Sequence, residues 1–223
     1  MAPLKSSTRP TLSRARVVEQ VVAVADADGI EAVTIRRLAT ELGVTPMALY
    51  WHFPTKDDLL AGAADLVLDG VAVPVPAEGW DEDLRALMTA LVTALGPHPQ
   101  LALLVSTRML VHPTGLDMTE RALAALSRAG FDADRTSALA VQLLRSAVSM
   151  VTADQVDTSG QDAAERAEQL RAKRARLAAL PPDRYPALIA HAPAMIGCDA
   201  PTYLGAGIDL YIAGVRDLAR ATS

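Results

Sequence analysis

Cysteine, aromatic residues and long apolar runs are scarce in this chain. Cys198 is the one cysteine among 223 residues, which excludes an internal disulfide and any zinc site built from several cysteines. No apolar run reaches about 18 uncharged residues, so we expect no membrane span and no membrane partner. The first residues carry charge but lack the apolar segment of a secretory signal. The simplest expectation is a cytoplasmic protein whose 51% hydrophobic content provides a large core.

Sequence motifs for catalysis and for cofactor binding are also missing. The chain has no G-x-S-x-G, no H-E-x-x-H, no Walker loop and no G-x-G-x-x-G after a strand. His191 and Cys198 lie seven residues apart, but Pro193 and Gly197 between them leave their relative geometry undefined. We therefore expect no enzyme, no cofactor and no metal site.

Strand alternation and hairpin turns are absent as well, whereas helical periodicity runs through almost the whole chain. The pattern predicts an all-α fold. Thr34, Thr45 and Thr55 are predicted N-caps, and Gly29, Gly43 and Gly70 are predicted stops. Asp58 is the expected capping-box partner of Thr55. Helices are expected at about 13–28, 34–42, 45–53, 55–70, 80–95, 99–111, 115–129, 133–155, 162–180, 183–191 and 199–221, with a polar loop at about 154–162.

Charge is distributed unevenly along the chain. Residues 1–60 hold seven basic and seven acidic side chains, whereas the rest of the chain has a net charge of −5. Lys5, Arg9, Arg14 and Arg16 stand at the start without any acid between them. This basic segment is either a solvated tail or a source of salt-dependent affinity for a polyanion. We expect a flexible basic arm at 1–11, a small domain at 12–70 and a larger domain at 71–223, with the Pro-rich stretch 71–79 as boundary or hinge.

Residues 34–53 have the spacing of a helix-turn-helix, with Gly43 in the turn. Leu38, Leu42, Val44, Leu49 and Phe53 are expected to close a small core with helix 13–28. The remaining side chains of the second helix then face outward, including three consecutive rings that a core would not leave exposed. These are Tyr50, Trp51 and His52. A helical hairpin within a bundle is the alternative to a DNA-binding unit.

Binding to DNA would explain the outward residues. Met47 and Ala48 can contact thymine methyl groups, and Arg36 can reach a guanine edge. Tyr50 and His52 can donate to phosphates, which position the helix rather than specify sequence. Lys56, at the start of the next helix, is expected near the DNA backbone.

The segment from Leu12 to Gly70 resembles the DNA-binding domain of the tetracycline-repressor (TetR) family. The matching stretches are GIEAVTIRRLATELGV at 29–44, ALYWHF at 48–53 and K-x-x-L-L-x-G/A at 56–62. They cover about a quarter of the chain. The resemblance implies a three-helix DNA-binding head, a fourth connecting helix and a larger helical body for ligand binding and dimerisation.

The resemblance also implies roles for individual residues. It places Arg36, Pro46, Met47, Ala48 and Tyr50 at or near bases, and Thr34, Trp51, His52 and Lys56 on the DNA backbone. The tip Thr45–Ala48 departs from the family's tetracycline-repressor branch, because it lacks the amide side chain found near there. We therefore expect a different operator, in which contacts with methyl groups weigh more.

In the body, few aromatics predict a mostly aliphatic pocket for a small lipophilic effector. The expected wall comprises Met88, Leu91, Leu95, Leu103, Met109, Met118, Leu143 and Ala147. Gln142, Arg145, Ser146 and Ser149 form one helical stripe that faces either solvent or the cavity. His98, Arg108 and His112 flank helix 99–111 and are further ligand candidates. In the tetracycline-repressor branch a histidine near here binds a metal, but two histidines 14 residues apart without an acid or cysteine at ligand spacing favour loop positions.

The last helix carries an apolar face with Leu204, Ile208, Tyr211, Ile212 and Val215. This face either docks onto its own chain or forms a subunit four-helix bundle with helix 136–151, and the resemblance favours a homodimer through 136–151 and 203–219. A two-fold dimer suits a palindromic operator. The predicted function is a ligand-responsive dimeric regulator, most simply a repressor released by its effector. The alternative is a regulator whose ligand enhances DNA binding.

Overall fold

The computed structural model describes residues 12–152 and 163–222 of the chain. These ranges contain helices and no strand, so the predicted all-α fold class is confirmed. The helices are α1 Arg14–Asp28, α2 Ile35–Leu42, α3 Pro46–His52, α4 Lys56–Asp69, α5 Trp80–Leu95, α6 Ala102–Arg108, α7 Pro113–Arg128, α8 Ala133–Thr152, α9 Ala163–Ala178, α10 Pro186–Ile196 and α11 Ala200–Thr222. Short 3₁₀ turns at Ile30–Ala32 and Pro99–Leu101 precede α2 and α6. The predicted arm 1–11 and the predicted loop at 154–162 lie outside the described residues.

Helices α1–α4 form the head, and their ends follow the predicted capping residues. The hydroxyl oxygens of Thr34 and Thr45 accept from the backbone N–H groups of Arg37 and Ala48 at 3.2 and 3.3 Å. Thr55 and Asp58 form a complete capping box at the start of α4. Gly43 ends α2 at φ 68°, in the left-handed region where a residue without Cβ has no steric penalty. These caps fix where α2, α3 and α4 begin, and thus the turn between α2 and α3.

The head core matches the predicted set closely. Leu38, Leu42, Leu49 and Phe53 are buried, and Val44 is half-buried against them. Gly62 on α4 lies so close to α1 and α3 that an added Cβ would stand 3.0 Å from Val18 and 3.2 Å from the Phe53 ring. Phe53 therefore fixes the end of α3 against α4, and α3 itself packs against α2, which leaves its other side to the surface.

The connection at 71–79, predicted as a boundary or hinge, is fastened to the body. Arg121 on α7 donates to the carbonyl oxygen of Pro74, and the Ala77 N–H donates to Asp83 at 3.3 Å. Asp83, only 2% exposed, also accepts from Arg121 and Arg128. Burial alone would raise the pKa of Asp83, but the hydrogen bonds from Arg121, Ala77 and Arg128 outweigh it and hold the pKa below its ordinary value. The connection is thus pinned through one buried carboxylate.

In the body, α5, α7, α8 and α11 pack together around an aliphatic core. The predicted helix at 99–111 is shorter than expected, since α6 ends at Arg108. Gly115 explains the close turn that follows, because its Cα lies so near Met109 that a Cβ would meet the Met109 carbonyl oxygen at 2.5 Å. The helix predicted at 183–191 instead continues through Pro193 to Ile196, where α10 packs against α9.

Membrane-spanning character is not found in any single helix of the described ranges. The pair Trp80–Leu95 and Pro99–Arg108 meets the length and composition criteria together, but the two segments meet at a bend of 110°.

Candidate nucleic-acid interface and body cavity

Helix α3 has two sharply different sides. Leu49 and the adjoining Phe53 are fully buried, whereas Met47, Tyr50 and Trp51 are 66%, 47% and 86% exposed. The three exposed residues stand at i, i+3 and i+4, so they share one face of the helix. A large apolar ring held in solvent is unfavourable without a partner, which marks this face as a contact surface. Thr45 and Pro46 are exposed at the N-terminal end of the same helix, and Ala48 is half-buried.

The two neighbouring arginines of α2 differ in their partners. Arg37 is engaged within the head, where it bonds Asp28 and lies 2.7 Å from Glu41. Its hydrogen bonds to Glu41 and Asp28 raise the pKa of Arg37 above its ordinary value. Arg36 is exposed and forms no ion pair with a residue that the structure describes. Of the two guanidinium groups, that of Arg36 is therefore available to an outside partner.

The C-terminal end of α3 is held by α1. Arg14 donates to the His52 carbonyl oxygen at 2.9 Å, and its guanidinium lies 4.1 Å from the centre of the Phe53 ring. A cation at this position also suits the negative end of the helix dipole. Arg14, predicted to add DNA affinity from the basic arm, is thus bound to the head itself. The His52 side chain is half-buried at this end, and Lys56 donates to the Ile30 carbonyl at 3.4 Å.

A cavity of about 300 Å³ lies between α5, α6, α7 and α8 of the body, and its lining residues Leu110, Ser137 and Val141 are exposed to solvent. Of the residues expected in its wall, Leu91, Met109, Met118 and Leu143 line it. Met88, Leu95 and Ala147 are buried elsewhere in the core, and Leu103 is exposed. A wider and more open groove, about 770 Å³, runs between α4, the connection and α5 on the surface. The smaller cavity is the better enclosed of the two, and we take it as the candidate ligand site.

Three predicted ligand candidates contact the head and do not line the cavity. They are His98, Arg108 and His112. Arg108 grips Asp65 of α4 with two hydrogen bonds, at 2.8 and 3.1 Å. The bonds to Asp65 raise the pKa of Arg108 above its ordinary value. His112 Nε2 stands 3.2 Å from Asp69 of α4, and His98 Nδ1 stands 2.7 Å from Asp26 of α1. All three predicted ligand candidates therefore bridge body and head.

The polar stripe of α8 is a single face, as its spacing predicted, but it lies away from the cavity. Gln142, Arg145, Ser146 and Ser149 border a shallow surface depression together with Tyr203 and Leu210 of α11. Leu210 is 77% exposed. No Cβ contact would arise at Gly205 or Gly214 among the described residues, so α11 offers a smooth surface there.

The opposite face of α11 docks onto its own chain. Ile208, Ile212 and Val215 are buried against the body core, and the Tyr211 hydroxyl donates to the Leu139 carbonyl at 2.6 Å. Burial raises the pKa of Tyr211 well above its ordinary value. The sequence left two alternatives for this apolar face, docking onto its own chain or a subunit four-helix bundle. In the structure the face packs against its own chain.

Sequence reasoning missed much of the cavity wall. Leu87 and Leu144 belong to helices whose apolar residues outnumber those that reach the cavity, so periodicity could not single them out. Ser106, Thr119 and Ser137 are the polar members of the wall. Hydroxyl groups at helical positions carry no distinguishing pattern, and only the packing of three helices shows that they converge.

Comparison with known proteins agrees with this architecture. Residues 20–63 match the family described as bacterial regulatory proteins, tetR family, and residues 73–218 match the tetracyclin repressor-like C-terminal domain. An HTH-type transcriptional regulator of Saccharopolyspora erythraea is 34% identical over 219 residues, which is 96% of this chain and 89% of the relative. The HTH-type transcriptional repressor DrrR1 of Streptomyces coeruleorubidus is 36% identical over 138 residues, 59% of this chain and 50% of that protein.

Among solved structures, that of ActR from Streptomyces coelicolor in complex with actinorhodin superimposes with a TM-score of 0.74 at 26% identity, covering 94% of this chain and 99% of the other. The predicted resemblance is confirmed, and with it the expectation that the protein is not an enzyme. With one family domain matched to the head and the other to the body, the chain belongs to the TetR family of DNA-binding transcription regulators.

Proposed function

We propose that the protein is a dimeric repressor that binds a palindromic operator and is released when a small apolar molecule occupies the body cavity. The exposed face of α3 supports this function most directly. Met47, Tyr50 and Trp51 stand in solvent on a helix whose other side is locked into the head. A duplex major groove provides the partner that such a face lacks.

Within the proposed complex the exposed residues divide by chemistry. Met47, Ala48 and the adjoining Thr45 and Pro46 form the base-reading tip, which suits thymine methyl groups. The unpaired Arg36 is placed for a guanine edge, where a bidentate pair contributes about 1–3 kcal/mol of discrimination. The groups assigned to phosphates, which fix the register of the helix, are Thr34, Tyr50, Trp51, His52 and Lys56.

For the dimer we propose the outward sides of α8 and α11, not the face of α11 that its own core already covers. Leu210 and Tyr203 are exposed there, and Gly205 and Gly214 leave room for a second helix to approach closely. A glycine inside a helix costs about 1 kcal/mol relative to alanine, so two of them on an open face favour close packing with a partner. Two-fold pairing would present two α3 helices to two half-sites.

The link from effector to DNA would run through α6. Ser106 near the end of this helix, and Met109 just after it, line the cavity, while Arg108 between them holds Asp65 of α4. A ligand that displaces this segment would therefore pull on α4, which packs directly against α1. We propose residues 12–70 as the DNA-binding unit and 71–223 as the ligand-binding unit, with the pinned connection transmitting the movement. The effect can be no larger than the difference in ligand affinity between the two conformers.

The repressor role is supported by relatives. The name of DrrR1 identifies that protein as a transcriptional repressor, and the ActR structure contains a bound small molecule, actinorhodin. Both observations concern those proteins. They support the proposal that the head of this chain represses transcription and that its body binds a small molecule.

Fluorescence anisotropy with labelled DNA from upstream of the protein's own gene tests the proposal. At physiological salt we expect affinity for one palindromic segment about a thousandfold above that for shuffled DNA of equal length. Apolar molecules that bind the body should release the protein from this DNA. An absence of specific binding, together with a monomer in sedimentation, would contradict the whole proposal. Stronger DNA binding with ligand would contradict release and favour a regulator whose ligand enhances binding.

A further inference from the structure

The cavity wall combines aliphatic side chains with three hydroxyl groups. Each hydroxyl already donates its proton to a carbonyl oxygen of its own helix: Ser106 to Leu103 at 2.6 Å, Thr119 to Gly115 at 2.7 Å and Ser137 to Ala133 at 2.8 Å. A hydroxyl carries one donor and two acceptor lone pairs. With the proton so engaged, each oxygen presents acceptor capacity to whatever fills the cavity.

Charged groups are missing from this wall. Among the described residues that line the cavity, none is charged and none is a histidine. Arg108 and His98, which were predicted as ligand contacts, bond Asp65 and Asp26 of the head instead. A carboxylate or ammonium ligand would thus lose part of its hydration without gaining a counter-charge, which is unfavourable. Hydroxyls and thioethers are also poor partners for a hard divalent ion, so the wall does not suit a metal-chelated ligand.

We propose that the cavity selects an uncharged, mainly apolar molecule that carries a hydrogen-bond donor, such as a phenolic hydroxyl or an amide N–H. This rests on the effector role proposed above and names the class of effector. The donor would be directed at the oxygen of Ser106, Thr119 or Ser137. Size is limited too, because about 300 Å³ lies at the lower end of the roughly 300–1,000 Å³ of ligand pockets. Met109 and Met118 allow the wall to adapt to ring shape.

Three probes of matched shape separate the requirements: naphthol, methoxynaphthalene and naphthoate substituted at the same ring position. Titration calorimetry on the full chain at neutral pH should rank naphthol first. Loss of its donor in methoxynaphthalene should weaken binding about three- to tenfold, the value of one net hydrogen bond. Naphthoate, which is ionised, should bind at least about a hundredfold more weakly. Naphthoate binding as tightly as naphthol, or methoxynaphthalene equalling naphthol, would overturn the proposal.

Variants locate the donor contact. Ser106→Ala, Thr119→Val and Ser137→Ala are made singly, and at least one should abolish the advantage of naphthol while leaving methoxynaphthalene binding unchanged. Thr107→Ala is the matched control, since Thr107 lies next to Ser106 and donates to Leu104 at 2.7 Å but does not line the cavity. If no variant of the three reduces the advantage, or if Thr107→Ala reduces it equally, the inference is wrong.

A cavity-filling variant and DNA binding complete the test. Ala122→Phe should abolish binding of naphthol and methoxynaphthalene, and Ala140→Leu, at a half-buried wall position, serves if the first does not fold. Unchanged probe binding in the folded variant would place the probes elsewhere and overturn the inference. Operator affinity without probe is measured on the same samples. If the wild type binds its operator specifically but the three probes do not follow the expected order of affinity, only the ligand class is contradicted. If the wild type shows no specific operator binding, the proposed function is contradicted.

Discussion

At the scale of single residues, adjacent positions on α3 have opposite roles. Leu49 is buried completely, and its neighbour Tyr50 has nearly half its surface in solvent. The buried Leu49 contributes to the stability of the head, whereas Tyr50 is a proposed DNA contact. The two roles are therefore separable by mutation within one turn of helix.

Tyr50→Ala should weaken operator binding about ten- to a hundredfold, because a hydrogen bond to a charged group contributes about 1.5–3 kcal/mol. The free energy of unfolding should change by less than about 0.5 kcal/mol, as expected of an exposed site. Leu49→Ala is the matched control, and it should cost about 2–5 kcal/mol of stability through the cavity it leaves. Anisotropy and urea unfolding measure the two quantities. Equal destabilisation by both substitutions would show that Tyr50 belongs to the core.

Asp83 should contribute to the free energy of unfolding in a way that depends on pH. Asp83→Asn should lower the free energy of unfolding at neutral pH by about 3 kcal/mol, because it leaves Arg121 and Arg128 without their shared anion. The folded-state pKa of Asp83 is lowered, so its stabilisation is complete above the unfolded pKa of about 3.9 and is lost as pH falls through the lower folded value.

Urea unfolding at pH about 7 and about 3 checks this dependence. The difference between wild type and Asp83→Asn should be full at the higher pH and should shrink at the lower one. Asp117→Asn, an exposed position on the same body, should change stability by less than about 0.5 kcal/mol at either pH. A difference that grows on acidification would contradict the lowered pKa.

At the scale of helices, α6 both lines the cavity and packs against α4 of the head. Ser106 of α6 lines the cavity, and Arg108 at the end of the helix binds α4 through two parallel hydrogen bonds. The Arg108 and Asp65 side chains are both less than a third exposed, so solvent screens the pair less than a surface ion pair. The pair is placed to couple the two units.

Asp65→Asn should therefore reduce the effect of ligand on DNA binding more than DNA binding itself. We expect the ratio of operator affinities without and with saturating naphthol to fall about tenfold, within the usual 1–3 kcal/mol of coupling between sites. Asp209→Asn is the control, because it removes the Arg85–Asp209 pair that lies within the body. An unchanged ratio in Asp65→Asn, or an equal fall in the control, would contradict the coupling role.

Helix-level features were predictable from sequence to different extents. The caps Thr34, Thr45 and Thr55 lie within three residues of the groups they bond, so local pattern was sufficient. Arg108 and Asp65 are 43 residues apart, and no local sequence pattern predicts that they pair. The stripe from Gln142 to Ser149 was correctly predicted as one face, but what it faces depends on α11, more than fifty residues later. Helix ends could thus be predicted from the local sequence. The cavity wall and the contacts between head and body could not, because they depend on tertiary packing.

At the scale of the whole molecule, the proposed binding to a palindromic operator requires that two heads be held at a fixed spacing. Half-sites on one side of the duplex lie about 34–36 Å apart, so the subunit contact has to be rigid. The inner face of α11 is committed to the core through Ile208, Ile212 and Val215. The outer face, with Leu210 and the two open glycines, remains for a second copy of the chain.

Leu210→Glu should convert the protein to monomer at micromolar concentration, because the symmetric contact would lose an exposed apolar side chain and would have to remove two carboxylates from water. Sedimentation velocity measures the assembly, and helical circular dichroism with urea unfolding of the monomer checks that the fold is intact. Ile212→Ala is the matched control two residues along the same helix, and it should lower stability through its core cavity while the folded fraction stays dimeric. The monomeric Leu210→Glu variant should lose affinity for the full palindrome but bind an isolated half-site like the wild type. A variant that remains dimeric would show that the chain associates through another surface.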